Sequence, residues 1–292
     1  FLKLLNICES INMTLNIIFL ISLSIVVGFI GSLTGLGGAS ALIPILVLFG
    51  IPIKEAIAAG MIAIIGSSSG SAISYVRNQI ANIRIAMFLE IFTVIGGIAG
   101  ASLTLIINPV YLYFFFAAFL CTSFYKPKVN VSPDYAVSSK RDSFSKWLQC
   151  EGVYYDKSIC QNIEYRPENS LFGGLGMFVA GLAAGMLGIG AGAFKTTVHE
   201  KILKMPPKVS SATSNFIIGM TALGGASVYL FSGLLNVSLM APIAIGTTIG
   251  AFIGGRILNR IKDRYLKILF LVIVSAMIIQ MIYKGIVSIW SP

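Results

Sequence analysis

From Ile83 to Ile107 the only charged side chains are Arg84 and Glu90, and apolar runs of this kind recur along most of the chain. That recurrence constrains the fold more than any motif. A helix rises about 1.5 Å per residue, so about 20 apolar residues cross the roughly 30 Å hydrocarbon layer of a bilayer. The pattern marks ten helical segments, at 14–32, 38–50, 55–76, 83–107, 109–125, 171–188, 191–204, 208–231, 237–258 and 265–287. The 292 residues are 56% hydrophobic and include 30 glycines, which is material for about ten spans. Only 11% of them are charged, against roughly 25% in soluble domains, too few to wet the surface of a soluble fold of this length. The expectation is an all-α polytopic protein, multi-pass in the cell membrane with the lipid bilayer as its solvent.

The ten segments fall into two copies of five. Gly35-Leu36-Gly37-Gly38 aligns with Gly188-Ile189-Gly190-Ala191 at an offset of 153, and after one inserted residue the offset becomes 154. It then pairs Lys54 with Lys208, Ala58 with Ala212, Gly70 with Gly224, Tyr75 with Tyr229, Gly96 with Gly250 and Gly100 with Gly254. An odd number of spans per copy forces the copies into opposite orientations. The basic residues bear on this. With ten crossings and the polar segment 126–170 left out, 11 Lys or Arg fall on one side and 3 (Lys3, Lys54, Lys284) on the other. If 38–50 and 191–204 re-entered without crossing, the count would be 4 against 10, and including the polar segment would nearly level it. The positive-inside rule favours ten crossings with both termini outside, hence two five-helix inverted repeats, a common transporter architecture. The expected organisation is an N-terminal extension at 1–13, membrane repeat one at 14–125, a polar insertion at 126–170 and membrane repeat two at 171–292.

Residues 126–170 hold 13 of the 32 charged residues, 7 basic and 6 acidic, and read as a water-exposed, partly folded insertion on the cytoplasmic side. The formal charge of +10 therefore lies mostly between apolar segments, which is a topology signal and not a nucleic-acid surface. Of the four cysteines (Cys8, Cys121, Cys150, Cys160), Cys150 and Cys160 share the insertion and could pair in an oxidising space, less expected in the cytoplasm. No cofactor or metal is expected. His199 is the only histidine; His199-Glu200 begins HExxH but the fifth position is Leu203, and Gly188-Ile189-Gly190 follows a helix, not a strand.

The glycine breaks are the first candidates for function. Gly35, Gly37 and Gly38, with Gly188, Gly190 and Gly192, would let the chain turn at membrane depth and start a new short helix. Such a helix start offers N–H groups and a positive dipole end to an anion, and one break per copy is how many transporters build a central site. The other reading is close helix packing, which the small-xxx-small pairs Gly96/Gly100, Gly250/Gly254 and Gly181/Gly185 also suit.

Gly28-Phe29-Ile30-Gly31 through Gly35-Leu36-Gly37-Gly38, then Pro44 and Ile51-Pro52, resembles the opening of the TauE/SafE family, the sulfite exporters. Gly188-Ile189-Gly190-Ala191-Gly192-Ala193-Phe194-Lys195, followed by Pro206, Lys208 and Ala212-Thr213-Ser214-Asn215-Phe216, is similar to that family's second half. The resemblance covers roughly 25–120 and 175–285 and implies a transporter of small sulfur-containing anions such as sulfite or organosulfonates. Thr197 stands where the family usually has proline, residues 195–204 are more polar than usual, and the insertion exceeds the usual linker.

Lys195 lies just past the second break, and a charge at membrane depth is a functional candidate. It would meet an oxyanion, or it would snorkel or pair with Glu200 or Glu90. Thr213, Ser214 and Asn215, with Ser67 to Ser71 in the matching helix, offer hydroxyl and amide donors to sulfonyl oxygens or serve interhelical hydrogen bonds. Ser214 and Asn215 are favoured because the resembled family's motif includes them. Glu90 and His199 are candidates for proton coupling, Glu90 otherwise as a structural partner of Lys195 and His199 otherwise at the cytoplasmic interface. The expected function is a secondary transporter, an exporter by the resemblance, that moves a small sulfur-containing anion by alternating access. A passive anion channel, or a carrier or sensor whose 126–170 loop binds a partner, is the alternative, and self-association is left open. An enzyme is not expected, since no catalytic set is present.

Overall fold

The computed structural model describes residues 17–32, 38–77, 81–122, 152–156, 161–235, 237–257, 275–276 and 278–288. The first half contains α1 (Ile17–Ser32), α2 (Ala39–Leu48), α3 (Ile53–Arg77), α4 (Ile83–Ile106) and α5 (Pro109–Thr122). A hairpin of β1 (Gly152–Asp156) and β2 (Gln161–Tyr165) leads into the second half. There α6 (Ser170–Leu187), α7 (Gly192–Lys201), α8 (Pro207–Phe231), α9 (Val237–Ile257) and α10 (Ile278–Ser288) follow. Each helix falls on one of the ten expected helical segments. Among the described residues, four helices are long and apolar enough to cross a membrane: α4, α6, most of α8 and most of α9. The ends have local causes. The Asn82 side chain accepts from the Ile85 N–H at the start of α4, proline opens α5 and α8, and left-handed Gly188 (φ 65°) closes α6.

The helices are apolar outside, and inside they mix apolar clusters with small and polar residues. On α4, Met87, Ile91 and Ile95 are exposed at four-residue spacing, while Glu90, Thr93, Gly96, Gly97 and Gly100 are buried. With no hydrophobic drive between helices in lipid, small residues let backbones approach, and van der Waals contact and hydrogen bonds hold them. α4 lies against α6 and α8, α3 against α8 and α9, and α1 against α9. At the α4–α6 crossing a Cβ on Gly181 would run into the Thr93 carbonyl, and one on Gly96 into the Phe178 carbonyl. At the α1–α9 crossing a Cβ on Gly28 would lie 2.5 Å from the Thr247 carbonyl oxygen, and one on Gly250 would meet the Ile25 carbonyl. Thr104 Oγ1 donates to the Met186 carbonyl (3.0 Å) and Tyr229 OH to the Gly185 carbonyl (3.0 Å), tying α4 and α8 to α6.

The insertion is not wholly water-exposed. Its second strand ends in Tyr165, which is buried in an apolar cluster with Ile85, Leu89, Val198 and Leu203. Asn82 Nδ2 donates to Tyr165 OH (3.0 Å), the Glu168 N–H donates to the Leu203 carbonyl (3.2 Å), and Lys204 pairs with Glu168 (2.9 Å). The loops around 82, 165 and 203 therefore meet at one end of the helical body. At the α4 C-terminus, Lys54 Nζ reaches the Leu105 carbonyl (2.8 Å), where a cation suits the helix dipole. Asn82→Ala removes the cap of α4 and the donor to Tyr165 together. It should cost about 1–2 kcal/mol, read as a lower melting temperature of purified protein; a melting temperature equal to wild type would mean the hairpin end is not held there. Cys121 is exposed; Cys8, Cys150 and Cys160, and with them the expected pairing, lie outside the described residues.

Candidate functional site

The second glycine break is an irregular turn in which Gly188 (φ 65°), Gly190 (φ 68°) and Ala191 (φ 50°) are left-handed. Glycine adopts this backbone without steric cost. The turn is also tight: a Cβ on Gly188 would lie 2.7 Å from the Ile57 carbonyl oxygen. α7 then starts at Gly192, whose carbonyl accepts from Ser214 Oγ (3.4 Å) on α8. Of the first break, Gly35 and Gly37 lie outside the described residues. Gly38 stands just before α2, packed against Gly28 of α1.

α7 carries Lys195 and His199 one turn apart, so they share a face. Lys195 is fully buried, and its ammonium donates to Thr221 Oγ1 on α8 at 2.8 Å. The same hydroxyl lies 3.4 Å from Glu90 Oε1 on α4 and 3.0 Å from its own Ile217 carbonyl. Thr221 thus bridges the cation and the carboxylate. Glu90 is 7% exposed, and its other oxygen, Oε2, has no hydrogen-bond partner among the described residues. Burying a charge in a bilayer without a counter-charge is expensive, so the pair explains how either residue is tolerated. Of the expected alternatives for Lys195, the structure places it beside Glu90, buried and not snorkelling.

His199 is 0% exposed, with Nδ1 3.3 Å from the Ser210 carbonyl. A carbonyl only accepts, so this bond puts the proton on Nδ1 and leaves the lone pair on Nε2, which has no partner among the described residues. The polar stretch 195–204 is amphipathic, with Lys195, Val198, His199 and Leu203 buried while Lys201 and Lys204 are exposed.

The remaining candidates divide between two places. Thr213 Oγ1 accepts from the Asn82 N–H (3.2 Å) at the hairpin end of the body. Asn215 lines a narrow, partly open cleft with Gly31, Ser32, Ser67, Ser68 and Ser71. Ser68 Oγ donates to the Asn215 carbonyl (2.9 Å), Ser67 Oγ to Ile64 and Ser71 Oγ to Ser67, so these hydroxyls are held by backbone until they rotate toward a ligand. Ile218 also walls the cleft, and Thr221 is the next turn of α8, so the cleft and the charged group are neighbours on one helix. Gly31, Ser32 and Thr221 were not singled out from the sequence. Thr221 had a signal: at the offset of 154 it matches Ser67, a hydroxyl at the same place in both copies. Among the described residues no cluster of His, Cys, Asp and Glu could hold a metal ion.

Lipid-length apolar helices, a glycine-broken helix and a buried cation where the two halves meet define a multi-pass membrane transporter. The family model described as sulfite exporter TauE/SafE matches residues 20–281. The chain belongs to the TauE/SafE family. It is 22% identical over 283 residues to the probable membrane transporter protein YunE of Bacillus subtilis, covering 94% of this chain and 100% of that one. It is 25% identical over 252 residues to the probable membrane transporter protein YdhB of the same organism, covering 86% and 92%. It is also 26% identical over 278 residues to the probable membrane transporter protein MJ0441 of Methanocaldococcus jannaschii, covering 88% and 92%. No solved structure matches the chain significantly.

Proposed function

We propose that this transporter moves a small sulfur-containing oxyanion, such as sulfite or an organosulfonate, by alternating access, with export the direction its family's description carries. The observation that carries the reading is the fully buried ammonium of Lys195, held by Thr221 one turn along α8 from a hydroxyl- and amide-lined cleft between the halves. A cation selects anions, and hydroxyl and amide donors suit sulfonyl oxygens without adding charge.

Ten spans in two inverted repeats are supported by paired contacts. The Gly181–Thr93 crossing becomes Gly28–Thr247 when α6 is exchanged for α1 at 153 and α4 for α9 at 154. Gly96–Phe178 becomes Gly250–Ile25, and Gly70–Thr248 becomes Gly224–Val94 in the same way. Each contact maps onto one with its halves swapped, as a two-fold relation requires. The gathering of residues 82, 165 and 203 at one end agrees with the charge bias. At 10 residues each, α2 and α7 are about 15 Å long, half a bilayer, so the glycine break before each has to supply the rest of its crossing.

The test is a thermal-shift screen of purified protein against sulfite, thiosulfate, sulfate, methanesulfonate and acetate, followed by counterflow in liposomes. Stabilisation by a sulfur oxyanion at about 100 times its Kd should amount to about 2.7 kcal/mol. Saturable counterflow supports a carrier, steady conductance in a planar bilayer would make it a channel, and stabilisation by cations or apolar compounds alone would remove the anion reading.

A further inference from the structure

The Lys195–Thr221–Glu90 group, built from α4, α7 and α8, has no charged counterpart at the positions the repeat offset relates to it. At the repeat offset, Thr221 matches Ser67, but Lys195 falls on Ala41 or Leu42 and Glu90 on Ala244. The hydroxyl is kept and both charges are absent. Helix packing therefore does not need the charges, since the same crossing is built without them. Two further features set the group apart. Glu90 Oε2 is buried with no hydrogen-bond partner among the described residues, and the single Thr221 proton has two acceptors, the Ile217 carbonyl and Glu90 Oε1.

We propose that Glu90 is the proton site of the transport cycle: the substrate anion binds the ammonium of Lys195, across Thr221 from the carboxylate, and Glu90 takes up one proton as the anion binds. This rests on the anion reading above. In the empty state the ammonium and carboxylate cancel. A monovalent anion binding at Lys195 beside an ionised Glu90 would leave one net negative charge in a low-dielectric site, which is strongly disfavoured. A proton on Glu90 restores neutrality, so anion and proton enter and leave together. No covalent bond forms; the proton comes from water on the open side and returns to water on the other. Thr221 is a positioning residue, since its hydroxyl can donate to the ionised carboxylate or to Ile217 while always accepting from Lys195.

The groups facing Glu90 are few. α7 presents Lys195, with His199 on the same face, α8 presents Thr221, and α6 has no ionisable residue at all. On α4 itself Arg84 lies more than one turn away. His199 is the rival proton acceptor, because its Nε2 is also unpartnered among the described residues.

Methanesulfonate is the probe, because its own charge is constant over the titration. In a weakly buffered solution with an indicator dye, wild-type protein should take up about one proton per methanesulfonate bound, and the Kd should rise about tenfold per pH unit once Glu90 is ionised. Glu90→Gln, which keeps the shape and the Thr221 contact, should bind without proton uptake and with a Kd that no longer depends on pH. Thr221→Val should retain the proton uptake but shift its midpoint. Binding by wild type with no proton uptake overturns the proposal and leaves the anion reading standing. Proton uptake that persists in Glu90→Gln and is lost in His199→Gln overturns the assignment to Glu90. Failure of wild type to bind methanesulfonate, thiosulfate or sulfite removes the anion reading and this proposal with it.

Discussion

Lys195→Met lowers the melting temperature of the purified protein and weakens anion binding roughly 10- to 100-fold, and adding Glu90→Gln restores the melting temperature alone. The single change leaves the Glu90 carboxylate buried without its cation. Removing one partner of a buried pair costs about 3–5 kcal/mol, whereas replacing both by neutral groups of similar size is often neutral. If the repeats are inverted, the same packing is already built without charges, with Ala41 or Leu42, Ser67 and Ala244 at the corresponding positions. Binding follows a different rule. A charge-assisted hydrogen bond contributes about 1.5–3 kcal/mol, so losing the ammonium weakens an oxyanion roughly 10- to 100-fold whatever the partner residue is. The double variant separates the two roles. If it recovers both stability and binding, Lys195 is only the counter-ion of Glu90 and the ligand site lies elsewhere in the cleft. If it recovers neither, the pair is a packing element. Recovery of stability without binding assigns Lys195 to the anion.

What the sequence revealed here, and what it hid, follows from which forces act at a distance along the chain. The helices were legible because water and hydrocarbon sort residues on a scale of about 20 positions, and every described helix but the polar α7 sits on an apolar segment. The pairing of Lys195 with Glu90 was legible as an alternative because charges inside such segments are few and need each other. Thr221 was passed over for a physical reason. A threonine in an apolar helix usually bonds its own carbonyl four residues back, and Thr221 does so to Ile217 while also bridging the two charges. Only the crossing of α4, α7 and α8 reveals the second role. The same holds for the hairpin. Its strands span five residues each, and what anchors the second is the Tyr165 ring among Ile85, Leu89 and Leu203, residues distant in the chain. The burial of His199 was hidden for a like reason, since a polar stretch at a helix end does not disclose which face turns inward.

The glycine crossings set the second large effect. Gly181→Val should yield little or no monodisperse protein on size-exclusion chromatography in detergent. The new Cβ would meet the Thr93 carbonyl, which is backbone and cannot swing aside, so α4 and α6 must separate and give up contacts along the rest of their interface. Overpacking against side chains typically costs about 1–3 kcal/mol, and a backbone obstruction leaves less room to relax. Gly174 provides the contrast within the same helix, because a Cβ there meets only the Phe92 ring, a side chain able to move. Gly50→Ala provides another, since φ there is 85° with open space around it; strain of about 1–2 kcal/mol is expected and no loss of assembly. The informative variant is Gly28→Val. Gly28 meets the Thr247 carbonyl on α9 as Gly181 meets Thr93 on α4, so two equivalent halves require the two valine variants to fail alike. A Gly28→Val protein that assembles like wild type would mean that the crossings carry unequal weight. The halves would then be related in sequence but not in the way they hold the transporter together.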